Sequence, residues 1–230
     1  MSKHNEWVPN QHGAWAFLVM PSLYSSMNNG VKVNHFIYLL AWLCAYCFNF
    51  YYSLSFKTKN WDKRRKQIVI YLLVTSLLSL YLIFIDPSII KVAPIFAAGF
   101  IANLYFVRKK NERALINDFI GIILSAVVGY LIGGDLIGLS LISAYFIGTV
   151  FYVKTMIREK GNQKMLMYST LWHFFAMLYA FVNSIQIGEL FSLLLARALF
   201  IPRTKLKPKQ IGMVEFGFTS MLLIALLRFN

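Results

Sequence analysis

Apolar runs of about 15 to 22 residues, set off by polar or charged punctuation, follow one another along the whole chain. Each is near the roughly 20 residues that a helix needs to cross about 30 Å of hydrocarbon. Read between the punctuation, the pattern predicts nine spans: Ala14 to Met27, Asn34 to Phe56, Gln67 to Ile85, Val92 to Val107, Leu115 to Ile132, Leu136 to Val153, Met165 to Val182, Ser184 to Ile201 and Gly212 to Leu227. The first is short and contains Pro21, and the eighth is interrupted by Gly188 and Glu189, so both are open to tilting, kinking or partial re-entry. The expected fold class is all-α, a polytopic membrane helix bundle forming one domain over residues 1–230.

The connections carry an independent signal. Those after the second, fourth, sixth and eighth spans read "KTKNWDKRRK", "RKKNER", "KTMIREKGNQK" and "PRTKLKPKQ". The others read "NNGVKV", "DPSIIK", "GGD" and a turn near Asn183. Positive charge thus falls on alternate loops, and the positive-inside rule places those loops and the N-terminus in the cytoplasm, with the C-terminus outside.

Composition agrees with this picture. Of 230 residues 58% are hydrophobic, and nine acidic residues face twenty-three Lys and Arg, for a net charge of +14. Most of that excess is topogenic, and its expected partner is anionic membrane lipid. No nucleic-acid partner is expected, since no stacking platform or folded basic module accompanies the charge. The stretch "PSLYSSMNNG" shows no cleavage pattern, so the first run is expected to stay as a span. Cys44 and Cys47 share one apolar run and read as small buried hydrophobes, without further ligands to complete a metal site. Gly121, Ser125, Gly129, Gly133, Gly134, Gly138 and Gly148 predict close packing of the fifth and sixth helices.

Polar residues inside the apolar runs each need a reason, because an ionisable group in hydrocarbon costs a few kcal/mol on insertion scales. His12, Asn117, Asp118, Lys154, Arg197 and Glu215 all lie near the basic ends of their spans, with Asn49 and Asn103 a little deeper. Each has a plain structural explanation. Lys154 and Arg158 serve as topology signals whose stems snorkel. Asp118 pairs with Arg113 or another loop cation, Glu215 favours a helix N-terminus, His12 follows Asn10 as a possible cap, and His173 packs among aromatics. Their shared depth is what points beyond structure, to a polar chamber opening toward the basic face.

Four segments carry a family resemblance: "PNQHGAWAFLVMP", "NLYFVRKKNERALINDFIG", "GTVFYVKTMIREKGN" and "LKPKQIGMVEFGF" resemble the signature segments of the YwiC-like bacterial membrane proteins. The resemblance covers almost the whole chain and implies a multi-pass protein of the bacterial cell membrane, with no particular activity. A more distant likeness is to the UbiA-type prenyltransferases, and it implies nine helices, a cytoplasmic N-terminus and working loops after helices two and six. Those enzymes hold Mg2+ and a prenyl diphosphate on NDxxDxxxD and DxxxD motifs. Here the first motif would begin at Asn49, but its Asp positions hold Phe50, Ser53 and Lys57, and the second falls on Lys154 and Arg158. Cations replace carboxylates, so metal-dependent prenyl transfer is disfavoured, no metal is expected, and no catalytic residue or cofactor carries over.

Lys and Arg bind phosphate or carboxylate directly. The expected function is therefore binding of an anionic lipid-like, isoprenoid or quinone-like ligand without metal, in a chamber lined by His12, Asn49, Asn103, Asn117, Asp118, Lys154, Arg158, Lys209 and Glu215. Phe48, Phe50, Tyr51, Tyr52 and Phe56 would line its tail, or form an interfacial aromatic belt. Two rivals stay open: a membrane transferase of unfamiliar chemistry on a prenyl or lipid substrate, with Asp118 or Glu215 as base, and a transporter or accessory subunit of a membrane complex.

Overall fold

The structure, a computed structural model, describes residues 7–9, 11–204 and 206–229, with the side chains of His12 and Arg203 excepted. Among the described residues there is no strand. The helices are α1 (His12–Asn28), α2 (Val33–Thr58), α3 (Arg65–Ile85), α4 (Ala93–Arg108), α5 (Leu115–Leu131), α6 (Leu136–Ile157), α7 (Gln163–Asn183), α8 (Ile185–Phe200) and α9 (Pro208–Phe229). Short 3-10 turns, Asp62–Arg64 and Pro87–Val92, lead into α3 and α4. Among the described residues six segments are long and apolar enough to cross a membrane, namely Val33–Thr58, Asp62–Ile85, Pro87–Arg108, Leu136–Ile157, Gln163–Asn183 and Pro208–Phe229. The expected membrane helix bundle is the fold observed.

The two irregular runs are each one unbroken helix. α1 has 17 residues and α8 has 16, near 25 Å each at 1.5 Å per residue. Pro21 has no N–H to donate within α1, and its own carbonyl also accepts from Ser25 Oγ at 2.9 Å. Gly188 does not interrupt α8. It lets the helix start lie against the Phe181 ring of α7, where a Cβ would collide.

Contacts sort the helix ends onto two faces. Lys57 at the end of α2 reaches Glu112 in the α4–α5 connection, and Lys154 at the end of α6 reaches the Arg113 carbonyl in the same connection. Tyr152 and Met156 of α6 pack with Ile211 of α9, Ile201 and Leu206, so the α8–α9 connection lies there too. On the other face Asn29 donates to the Gly133 carbonyl at 2.6 Å, the Tyr24 phenol bonds Asp135, and Ser140 meets Tyr179 at 2.6 Å. The basic connections share one face, hereafter the basic face.

α6 is the axis of the bundle. In its most apolar window 56% of residues are buried, against 6% for those containing α3 and α4, which lie at the periphery. Asp135 starts α6 by accepting from the Gly138 N–H at 2.6 Å, and Asn162 starts α7 by accepting from Lys164 and Met165. α1 leans on α5 and α9, α7 on α8 and α6, and α3 mainly on α2.

α5 packs on α6 as predicted, and the small residues there also admit α1. Gly129 of α5 faces Leu139 of α6 as well as Pro21 of α1, while Gly121 faces Phe17, Gly134 faces Ser25 and Gly138 faces the Tyr24 phenol, all of α1. Small residues let a third helix into the slot between two others.

Candidate functional site

Two polar assemblies lie inside the apolar bundle. The first runs between α2, α4, α5 and α6. Ser53 Oγ donates to Asn103 Oδ1 at 2.8 Å and lies 3.5 Å from Asn49 Oδ1. Asn103 Nδ2 donates to Asn117 Oδ1 at 3.3 Å, and Asn117 Nδ2 donates to the Glu112 carbonyl at 2.8 Å. Ser53, Asn103 and Asn117 thus connect α2 through α4 to the basic face, each passing a hydrogen bond to the next. Asn49, Ser53, Asn103, Asn117 and Asp118 are all half-buried.

One residue beyond Asn117, Asp118 Oδ2 lies 3.2 Å from Lys154 Nζ. Lys154 is only 8% exposed, and its ammonium also donates to the Arg113 carbonyl at 2.6 Å. It ties the end of α6, which runs past Val153 to Ile157, to the start of α5. Arg158, one turn on, is exposed at the C-cap of α6. Partial desolvation against the end of α6 and the neighbouring Arg113 charge hold Arg158 below the ordinary guanidinium value, and Asp118 pulls the other way. Among the described residues the ion pairs are Lys57–Glu112, Lys154–Asp118 and Arg197–Glu215, and Arg158 joins none of them.

The second assembly belongs to α6, α7, α8 and α9. Arg197 donates to both Glu215 carboxylate oxygens from Nη1, at 2.5 and 2.6 Å, and its Nη2 lies 3.2 Å from His173 Nε2. Thr149 Oγ1 donates to Glu215 Oε2 at 3.0 Å, and Tyr145 Oη meets Thr219 at 2.9 Å. The guanidinium carbon stands over the Tyr152 ring at 4.4 Å and the Phe218 ring at 5.1 Å.

The predicted residues therefore divide. Asn49, Asn103, Asn117, Asp118 and Lys154 come together in the first assembly, with Arg158 at its mouth, whereas Glu215 belongs to the second. Lys209 is exposed in the first turn of α9, and the His12 side chain and Asn10 lie outside the described residues. Of the five aromatics of α2, Phe48 and Tyr52 pack together on Phe100 of α4, while Tyr51 turns to α3. Tyr51 stacks on Tyr71 of α3 at 5.9 Å, Phe48 stacks on Phe100 of α4 at 5.9 Å, and Phe56 lies under Arg108. A cavity of about 220 Å³ opens at the α6–α7 turn, lined by Thr155, Glu159, Asn162 and Gln163 among others, and includes none of the predicted residues. Among the described residues no three of His, Cys, Asp and Glu gather to hold a metal ion.

Sequence reasoning named Arg197 and His173 as polar residues in oil but did not join them to Glu215. The available signal was an opposite pair, Arg197 and Glu215, on two apolar helices flanking one short connection.

Residues 8–133 match the family model described as YwiC-like protein, a match that covers α1 to α5. An uncharacterized protein of Haemophilus influenzae is 27% identical over 230 residues, covering 96% of this chain and 97% of that protein. The uncharacterized protein YwiC of Bacillus subtilis is 34% identical over 175 residues, covering 72% of this chain and 73% of that protein. No solved structure matches.

Proposed function

The chain belongs to the YwiC-like family, and from that premise we propose that it binds the anionic head group of a membrane amphiphile, lipid or isoprenoid, at the basic face between α5 and α6 without a metal. The observation that carries this reading is the division of labour between Lys154 and Arg158. Lys154 is buried and neutralised by Asp118. Arg158 stands exposed beside Arg113, and Asp118, the carboxylate that acts on Arg158, is already held by Lys154. Two guanidinium groups in excess at the membrane boundary favour a phosphate or carboxylate, which Arg takes by paired hydrogen bonds. The amide ladder behind them offers polar contacts to a head group that enters more deeply, and the apolar flanks of α2 and α4 accept the tail.

In this reading the basic face is cytoplasmic, the N-terminus lies inside and the C-terminus outside. The charge pattern of the loops supports it, since the connections brought to one face are the Lys- and Arg-rich ones.

Mass spectrometry of lipids that co-purify in mild detergent tests the proposal, comparing wild type with Arg113→Ala/Arg158→Ala. A specific anionic amphiphile retained by wild type and lost from the variant is expected. The same bulk phospholipid in both would leave the arginines as topology signals and end the proposal.

A further inference from the structure

The protonation state of His173 follows from what its neighbours can do. The Ser169 carbonyl, 2.7 Å from Nδ1, only accepts, so Nδ1 carries the hydrogen. Arg197 only donates, so Nε2 offers its lone pair to Nη2 and the imidazole is neutral. The other ionisable groups facing this point are Glu215 of α9 and the phenols Tyr145 and Tyr152 of α6. Arg197 and Glu215 cancel, and the buried cluster is neutral.

Three polar atoms are left over. Glu215 loads a single guanidinium nitrogen, Nη1. The edge formed by Nε and Nη2, the fork that grips an oxyanion by two hydrogen bonds, therefore holds one neutral acceptor. Its Nε has no hydrogen-bond partner, and neither does Tyr152 Oη or Ser169 Oγ, on side chains that are 0% exposed. Arg197 itself is 4% exposed. An ion pair kept for stability alone would be expected to use its two-nitrogen edge and to satisfy its neighbours. Beside the imidazole, Gly148 of α6 lacks the Cβ that would stand 3.0 Å from Nε2, and the ring keeps room on that side.

We propose that this centre is a carboxylate-binding site that fills together with one proton. A carboxylate alone would leave the cluster with a net negative charge in a medium of low dielectric. One proton from water on His173 Nε2 restores neutrality, with Arg197 and imidazolium against Glu215 and the ligand. The same proton turns Nε2 from an acceptor on Arg197 into a donor to the ligand, which frees Nη2 to join Nε on the incoming oxygens. No covalent bond is made or broken, and the protein takes up the equivalent of a carboxylic acid. A phosphate monoester fits less well, because its charge of about −1.5 to −2 is not matched by a single proton. This centre shares no side chain with the α5–α6 corner.

The test is 15N NMR of histidine-labelled protein in nanodiscs near pH 7, with His173 assigned by sequential correlation and titrated with acetate and, separately, with oleate. His173 is expected to be the neutral Nδ1–H tautomer without ligand and imidazolium with it. A response to acetate identifies a free carboxylate as sufficient, and a response to oleate alone identifies the head of an amphiphile. Affinity should rise about tenfold for each pH unit of acidification, since one proton is linked to binding, and His173→Gln should abolish that slope. Imidazolium before any carboxylate is added, or a ring that stays neutral at saturating amounts of both probes, would overturn the proposal on the wild-type protein alone.

Discussion

Lys154 at the end of α6 and Asp118 in the first turns of α5 form a bridge of 3.2 Å at the boundary between apolar core and basic face. The Asp118 side chain keeps a third of its surface exposed and the Lys154 side chain a tenth, so the two ends of the bridge differ in what they lose if it breaks.

Lys154→Ala leaves Asp118 half-buried without its counter-charge and frees the Arg113 carbonyl, and it should cost about 1–3 kcal/mol, discounted for the water that Asp118 can reach. Lys154→Ala/Asp118→Ala should recover part of that loss. Thermal unfolding in detergent measures both, and equal losses in the two variants would show that Lys154 acts through its packed stem instead of its charge.

Arg113→Ala/Arg158→Ala should lie within about 0.5 kcal/mol of wild type in the same assay, because both side chains are exposed and neither forms an ion pair among the described residues. This contrast makes Arg158, and not Lys154, the position at which ligand loss can be read without loss of fold.

Arg197→Met strands the Glu215 carboxylate among α6, α8 and α9 and should destabilise by about 3–5 kcal/mol. Arg197→Met/Glu215→Leu, which removes both charges, should be the milder variant. A double variant worse than either single would mean that Tyr145, Thr149 and His173 hold the fold through that pair, a coupling that a double-mutant cycle quantifies.

Gly138→Ala would press a methyl onto the Tyr24 phenol and should cost about 1–3 kcal/mol by overpacking. Gly217→Ala, with nothing within 4 Å of the new methyl, should gain about 0.5–1 kcal/mol of helix propensity. If both substitutions behave alike, helix propensity and not the α1 slot governs the Gly138 site.

On a Cys44→Ala/Cys47→Ala background, Lys63→Cys and Lys160→Cys should react with an impermeant thiol reagent only from the cytoplasmic side, and Ser88→Cys only from outside. The reverse pattern would invert the orientation, and reaction of all three from one side would refute the alternation of spans.

The spans were legible because hydropathy is written residue by residue: α3 and α6 start or end within a few residues of Gln67, Ile85 and Leu136. What was not legible is which helix faces which. Nothing in the glycine spacing of α5 and α6 says that Tyr24 and Pro21 of α1 will occupy the gap. Equal depth drew Glu215 toward Lys154 in the sequence, yet rotation about the helix axes gives Glu215 to Arg197 and Lys154 to Asp118. Hydropathy encodes depth, whereas azimuth is set by packing between segments far apart in the chain.

Tyr24 and Asp135 are 111 positions apart, and their bond closes α1 onto the cap of α6. During synthesis α1 is made long before its partner exists. Until the start of α6 emerges, the first helix has neither its phenol's acceptor nor the glycine-lined slot completed by Gly134 and Gly138. The seat of the first helix is thereby complete only once the start of the sixth has been made, and a chain arrested before residue 135 would leave α1 without a fixed place in the bundle.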